Sequence, residues 1–410
     1  MNIVLIGNGF DLAHGLPTAY TDFLTFLKRI NTPPIKSADF NQDLEALIND
    51  PANLDIVEKM RKLFLNNVWY NYFREKTITN SNWCDFEAEI EYVVRQLETV
   101  KKYLDEDRSL WLTNIDNRKI NSTFLMISII NYCLKHSLQL DSQEIEILDN
   151  TRLLLNGKHK SVKLTIGINA PNFNFDLEIL QSGPLDIAFE KLLTFILEQL
   201  KDFSKCFELY LSKFVNKLSY PKIGFINDLL SKHDNKLLTF NYTNTPSRYG
   251  CPIIDDNTCF IHGYACWNEN DNLVLGIEEN STTIDPMFTP FRKYFQRASK
   301  ECNKNFRTWI NDIKSRSRAD SMYYNPHLEH NLYIIGHSLT LSDRFILNEL
   351  ITLKNMTTTI YYHSDDNRIN LMKNLAAILG YQKFSELIEN DFVKFEKGSF
   401  NRKIKEINPY

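Results

Sequence analysis

The segment that decides the fold opens the chain: Met1–Pro17 reads MNIVLIGNGFDLAHGLP. Asn2–Ile6 is a nearly continuous apolar run, which is typical of a parallel strand buried on both faces. A glycine loop follows at once, and we expect a helix to begin near Asp11 or Tyr20. Backbone N–H groups and the helix dipole at such a junction can hold a phosphate. The segment therefore predicts a nucleotide-binding loop. A tight turn without a ligand is the alternative, because the spacing is not a strict G-x-G-x-x-G.

Apolar segments recur in the second half of the chain, separated by stretches of helical character. Five of them predict strands: Lys236–Phe240, Cys259–Ile261, Leu273–Leu275, Asn331–Ile335 and Thr357–Tyr362. Strands that alternate with helices favour a parallel sheet that is covered by helices on its faces. We therefore predict an α/β fold built on a Rossmann-type parallel sheet, to which Asn2–Ile6 contributes the first strand.

The middle of the chain has a different pattern. Apolar residues recur at helical spacing from about Leu44 to Lys102, and again from Leu185 to about Leu218. Between these two regions, Val162–Ile166 and Phe173–Phe175 suggest short strands. The pattern predicts a large, mostly helical insertion that interrupts the sheet domain after its first strand.

The length of the chain supports a division into two parts. A chain of 410 residues exceeds the size at which a single hydrophobic core usually stops growing. We predict a nucleotide-binding domain made of residues 1–30 and 218–410, with residues 31–217 as the helical insertion or cap.

The bulk composition limits the classes of function. The formal net charge is −4, so no basic excess favours a phosphate backbone, and nucleic acid is not an expected partner. The seven cysteines are scattered and odd in number, which fits reduced thiols in the cytoplasm. No uncharged run approaches the ~20 residues that span a bilayer, so we expect no membrane association.

One group of cysteines suggests a zinc site at first sight. Cys251, Cys259 and Cys266 lie close to His262 in the sequence. Zinc-binding modules usually supply their thiols as paired C-x-x-C knuckles, which this group lacks. We therefore expect no metal.

Small and polar residues follow the predicted strands at the points where they end. They are Asn241 and Thr243, then His262 and Gly263, then Gly336, His337 and Ser338. Ligands of open parallel sheets bind at the carboxyl ends of the strands, so we expect these side chains to meet in one crevice. Each group also has a structural alternative: a turn formed by the asparagine, a structural histidine, or a helix cap by the serine.

Six short motifs occur in a defined order along the chain. They are GNGFDLAHGLP at 7–17, WCDFE at 83–87, FNYT at 240–243, IHG at 261–263, LVLG at 273–276 and GHSL at 336–339, followed by Asp343. In this order they resemble the AbiH family of bacteriophage abortive-infection proteins. The resemblance implies an antiphage protein that acts by abortive infection.

The same order of motifs is similar to that of the sirtuin-like NAD-binding fold. That resemblance implies that His262 is the catalytic base, that Asn241 binds the nicotinamide ribose, and that Gly7, Gly9 and Ser338 face the pyrophosphate. Further ligand contacts are implied for their neighbours Asn8, Phe10, Asp11, Thr243, Gly263, Gly336 and His337. For Asp11, a ribose or water contact stands against capping of the first helix.

Three departures from the sirtuin pattern point away from protein deacylation. Phe240 replaces the glutamine before the asparagine, and Thr243 replaces the aspartate two residues after it. Thr18–Tyr20 stands where sirtuins have Asp-Phe-Arg. The resemblance therefore implies simple cleavage of NAD, as in sirtuin-like antiphage effectors, together with a phage-derived activator and a homo-oligomer.

Hydrolysis of NAD to nicotinamide and ADP-ribose makes limited chemical demands. The bond to the ribose breaks through an oxocarbenium-like state, as in glycoside hydrolysis. Because nicotinamide departs neutral, the protein has to hold the ribose, exclude bulk water and supply one base. The alternatives are a nucleotide-binding sensor without turnover and a nuclease, although the predicted strand ends carry no carboxylate cluster typical of a metal nuclease.

Overall fold

The computed structural model describes residues 1–31, 40–79, 86–106, 185–231, 235–253, 255–266, 272–278, 285–302, 305–318, 321–322, 325 and 327–399. Within these ranges a six-stranded sheet is formed by β1 (Asn2–Ile6), β2 (Asn235–Thr239), β3 (Thr258–Phe260), β4 (His330–Ile335), β5 (Met356–Tyr362) and β6 (Val393–Lys397).

All pairings in the sheet are parallel, and the strands lie in the order β3-β2-β1-β4-β5-β6. This is the order of the doubly wound sheets that bind dinucleotides. The predicted α/β fold with a parallel sheet is confirmed.

The described helices are α1 (Asn8–Ala13), α2 (Tyr20–Asn31), α3 (Gln42–Ile48), α4 (Leu54–Phe64), α5 (Val68–Thr79), α6 (Phe86–Glu106), α7 (Leu185–Lys213), α8 (Gly224–Leu230), α9 (Lys293–Ser299), α10 (Asn305–Arg316), α11 (Arg344–Ile351), α12 (Asp365–Leu379) and α13 (Tyr381–Glu389). The helices predicted in the two middle regions are confirmed by α3 to α7. Of the helices that the structure describes, none has both the length and the apolar composition of a membrane span.

The sheet is covered on both faces, as its apolar strands require. Side chains alternate between the two faces along a strand. In β1, Ile3 and Leu5 join one hydrophobic cluster, which α10 to α13 complete. Val4 and Ile6 join the other cluster, together with α1 and α8. These four side chains of β1 are fully buried, which fixes the strand at the centre of the fold.

The described residues divide into two compact units. The first lies within Met1–Leu63, Ser204–Glu278 and Lys293–Tyr410, and the second within Phe64–Phe203 and Glu279–Arg292. The first unit contains the whole sheet. The second is helical and has an aromatic core in which the rings of Phe73 and Phe86 stack with centroids 4.3 Å apart. The domain boundaries predicted near residues 30 and 217 stay predictions.

The prediction of a strand at Leu273–Leu275 is wrong. These residues are buried as a strand would be, but they do not pair as a strand of the sheet. Val274 N donates to the carbonyl of His262 at 2.8 Å, and side chains supply further hydrogen bonds. The amide of Gln296 accepts from Leu275 N at 3.0 Å and donates to Leu275 O at 3.1 Å. The hydroxyl of Tyr242 donates to Val274 O at 2.9 Å. The segment is therefore an irregular chain that is held in place by hydrogen bonds to the Gln296 side chain and to its other neighbours.

The sequence pattern does not predict β6. It is an edge strand in which Val393 alone is buried and three of the five residues are charged, so its apolar signal is weak. The short strands predicted at Val162–Ile166 and Phe173–Phe175 lie outside the described residues.

Candidate active site

The loops that follow β1 and β4 meet backbone to backbone. The N–H of Gly7 donates to the carbonyl of Ile335 at 3.0 Å, and that of Gly9 donates to Gly336 at 2.7 Å. A Cβ atom on Gly7 would lie 2.7 Å from Cα of His337. A Cβ atom on Gly9 would lie 2.8 Å from the carbonyl oxygen of Gly336. Both glycines are therefore required by the close approach of these two loops.

These contacts bear on the phosphate-binding role predicted for the first loop. The N–H of Gly7 donates to the last carbonyl of β4, that of Gly9 donates to the carbonyl of Gly336 in the loop after β4, and that of Phe10 donates to Gly7 O at 2.9 Å. A pyrophosphate contact at Gly7 and Gly9 stays a prediction, and it has to use groups other than these amides.

Three other residues predicted to contact the ligand differ in their surroundings. The Phe10 side chain is fully buried in the core below the loop. Asn8 and Thr18 bond to each other, since Thr18 Oγ1 donates to Asn8 Oδ1 at 2.7 Å. Ser338 is exposed, and its carbonyl accepts from Asn374 at 2.8 Å. The contacts predicted for Asn8, Phe10 and Ser338 stay predictions.

Asp11 bonds to the loop after β2, so it does not cap its own helix. Its Oδ2 accepts from Thr243 Oγ1 at 2.6 Å, and that hydroxyl lies 3.1 Å from Thr245 Oγ1. Its Oδ1 is buried without a hydrogen-bond partner. Burial raises the pKa of Asp11 to about 6, while Thr243, Thr245 and the Asn241 amide oppose the rise. The carboxyl is thus a buried acceptor with one oxygen unused.

Asn241 follows β2, the strand that lies between β1 and β3. Its N–H is satisfied by Thr239 Oγ1 at 3.0 Å, whereas both polar atoms of its side chain are buried without a partner. The side chain is therefore not used in a turn. The amide faces Asp11 closely enough to oppose the rise in its pKa, but it makes no hydrogen bond of ordinary geometry. Asn241 offers one donor and one acceptor to a ligand.

His262 follows β3 and is buried. Its Nε2 lies 3.3 Å from Oδ1 of Asp343, and its Nδ1 is buried without a partner. We assign the proton to Nε2 because that atom faces a carboxylate, which leaves Nδ1 as an acceptor. Burial lowers the pKa of His262 to about 4; the charge of Lys293 adds to the fall and Asp343 opposes it. The imidazole is therefore neutral at physiological pH and is a weak base.

A buried ion pair lies next to His262. Lys293 Nζ lies 3.1 Å from Oδ1 of Asp343, and the two residues are 1% and 8% exposed. Nε2 of His337 lies 3.5 Å from the other carboxylate oxygen. Burial by itself would raise the pKa of Asp343, but the Lys293 charge and the hydrogen bonds from His262 and His337 outweigh it and hold the pKa well below its usual range. The carboxylate therefore orients both imidazoles.

The remaining residues that are expected to contact the ligand are in close contact with other parts of the protein. His337 Nδ1 accepts from Leu339 N at 2.9 Å, so both ring nitrogens have neighbours. Gly263 has φ +86°, and a Cβ atom there would lie 1.9 Å from the carbonyl oxygen of Asn272. This glycine lets the chain before Leu273 pass over the end of β3.

The sequence gives no sign that Lys293 belongs to the site. It begins a short helix beside the exposed Tyr294 and Phe295, and it is far along the chain from Asp343. The one available signal is Asp343, which follows the GHSL motif and is buried in the structure.

Three adjoining strand ends therefore bring unpartnered polar atoms to one edge of the sheet, within a single unit. The set comprises acceptors on Asp11 and His262 and the amide of Asn241. It suits a ligand rich in hydroxyl groups, because hydroxyls donate to carboxylate and imidazole and also accept from an amide. Within the described ranges, no group of three or more His, Cys, Asp or Glu side chains is placed to hold a metal ion.

A family model described as bacteriophage abortive infection AbiH matches residues 3–175 and 186–363. No curated protein and no solved structure matches the chain.

Proposed function

This chain belongs to the AbiH family of bacteriophage abortive infection proteins, and from that premise we propose that it is an antiphage effector that hydrolyses NAD to nicotinamide and ADP-ribose. The observation that carries the proposal is the set of buried, unpartnered polar atoms of Asn241 and His262 at neighbouring strand ends. Buried polar groups are normally hydrogen-bonded, so this set is poised for a ligand.

The chemistry of the two residues fits the nicotinamide ribose. The Asn241 amide can donate to one ribose hydroxyl and accept from another. Nδ1 of His262 accepts from a hydroxyl, and the Asp343 carboxylate keeps the imidazole in that orientation. Low-dielectric surroundings strengthen these contacts in the transition state, when positive charge develops on the ribose.

The sirtuin-like motif order supports NAD as the substrate over other nucleotides. The doubly wound strand order supports it as well, because such sheets bind dinucleotides at their carboxyl edge. The proposal includes a silent resting protein, a phage-derived activator and assembly into a homo-oligomer.

The proposal is tested in infected cells, where an effector that is silent at rest becomes active. Bacteria that express the chain are infected with a phage that it restricts, and NAD is measured by mass spectrometry before and after infection. We expect NAD to fall in cells with the wild-type protein. His262→Ala and Asn241→Ala are each expected to slow nicotinamide release by about 10²-fold, and NAD is then retained.

A matched variant controls for the loss of an imidazole. His327 is exposed and precedes β4, so it lies near the amino-terminal ends of the strands, whereas the site lies at their carboxyl ends. Cells that express His327→Ala should therefore still deplete NAD. If cells with the wild-type protein restrict the phage while their NAD concentration stays unchanged, the hydrolase assignment is wrong. Degraded nucleic acid in those cells would favour the nuclease alternative instead.

A further inference from the structure

Asp11 is the carboxylate among the three side chains of the site that have unpartnered polar atoms, the other two being Asn241 and His262. One of its two oxygens is held by a hydrogen bond. Thr243 Oγ1 donates to Oδ2 at 2.6 Å, while Oδ1 has no partner. The residue is 1% exposed. Among the described residues, no cation opposes the rise in the pKa of Asp11, and a buried anion without such a partner is costly. Carboxylates with perturbed ionisation cluster at functional sites, whereas a neutral side chain would hold Thr243 equally well.

The electrostatic surroundings of Asp11 favour proton uptake. Burial raises its pKa to about 6, and the groups that oppose the rise are the uncharged Thr243, Thr245 and Asn241. Burial raises the pKa of Tyr220, a neighbour that senses the charge of Asp11, so this phenol stays neutral. An acid with a pKa close to the working pH is well suited to general-base catalysis.

His262 is less suited to that task. Burial and the charge of Lys293 lower its pKa to about 4, so it gains a proton much less readily than Asp11. Its contact with Asp343 at 3.3 Å fits a neutral ring that orients a hydroxyl group.

We propose that Asp11 is the catalytic base of this site and that Oδ1 takes the proton from the attacking water, while His262 remains neutral and positions the ribose. The proposal rests on NAD cleavage as the activity. The bond between C1′ of the ribose and the nicotinamide nitrogen breaks, and its electron pair leaves with neutral nicotinamide. The water oxygen forms the new bond to C1′, and its proton passes to Asp11 and then to solvent. The products are nicotinamide, ADP-ribose and one proton.

The test compares the pH dependence of nicotinamide release by the full-length wild-type protein, Asp11→Asn and Asp22→Asn, each with lysate from phage-infected cells. Asp22 is the matched control, since burial also raises its pKa to about 6 but its carboxylate accepts from Ala19 N at the start of α2. For wild type and Asp22→Asn we expect a rate that falls about tenfold per pH unit below about pH 6 and is level above it.

Asp11→Asn should lower the rate by about 10²- to 10⁴-fold and remove the inflection. Because the folded pKa of Asp11 lies above the unfolded value of 3.8, its ionisation costs stability as the pH rises from there through about 6. Asp11→Asn should therefore be at least as stable as wild type at pH 8 in denaturant titrations, which separates lost catalysis from lost folding.

Each outcome decides between the alternatives. If Asp11→Asn is folded and keeps the wild-type rate and inflection, the assignment of Asp11 is wrong while NAD cleavage stands. If the inflection moves with Asp22→Asn, the assignment is also wrong. If wild-type protein releases no nicotinamide even with infected lysate, the proposed function fails and this role for Asp11 fails with it.

Discussion

Replacing Asp343 with asparagine is expected to lower the free energy of unfolding by about 3–5 kcal/mol at neutral pH. The reason is that Lys293, which is 1% exposed, would keep its charge in the interior without the carboxylate that lies 3.1 Å away. Because the folded pKa of Asp343 is held well below 3.8, its contribution is complete above that pH and is lost as the pH falls further. The difference between variant and wild type should therefore shrink in acid.

Urea titrations measure this effect, and an exposed ion pair supplies the control. Glu349 pairs with Arg307 and Lys314 at the surface, so Glu349→Gln should cost less than about 1 kcal/mol. Lys293→Met combined with Asp343→Asn removes both buried charges and should be more stable than Asp343→Asn alone. A loss for Asp343→Asn no larger than for Glu349→Gln would contradict the buried pair.

Gly336→Ala is expected to destabilise the fold by roughly 3 kcal/mol or more. Gly336 has φ +67°, and its Cβ atom would lie 2.1 Å from Phe10 N and 2.5 Å from the carbonyl carbon of Gly9. These are backbone atoms at the junction of two central strands, so neither loop can yield without breaking the bond between Gly9 N and Gly336 O.

Gly250 is the matched control for this substitution. It has φ +82° and nothing within 4 Å of a Cβ atom, so Gly250→Ala carries the left-handed backbone strain of about 1–2 kcal/mol without a clash. The two variants are compared by their urea midpoints. Equal losses would show that the loops after β1 and β4 do not meet as described.

The sequence predicts the fold where apolar runs are buried on both faces. β1 is such a run, and β2, β4 and β5 carry mainly apolar or β-branched residues at their buried positions. Each of the four lies close to its predicted bounds. The prediction fails where hydrogen-bond partners are distant side chains, as for Leu273–Leu275 and Gln296. It also fails at β6, whose edge position exposes most of its side chains. In both cases contacts with residues distant in the sequence decide the local structure, and a local sequence pattern carries no information about those contacts.

The residues of the candidate site can likewise be predicted from the sequence only in part. The sequence places Asn241 and His262 after predicted strands, and the topology of a parallel sheet then brings them to the carboxyl ends of its strands. Their roles at a ribose are implied by the resemblance to the sirtuin-like motif order and not by their position alone. The pairing of Lys293 with Asp343 depends on the three-dimensional packing and is invisible in the sequence. The glycine loop predicts a phosphate site, but the close approach of the loop after β4 also requires glycines at these positions. The sequence alone does not distinguish the two requirements.

A crystal structure of the protein with ADP-ribose tests NAD cleavage at this edge of the sheet most directly. The prediction is that the hydroxyls of the terminal ribose lie within roughly 3.2 Å of the Asn241 amide, of Nδ1 of His262 and of Oδ1 of Asp11. ADP-ribose bound elsewhere on the chain, or bound here with its terminal ribose directed away from these three side chains, would contradict it.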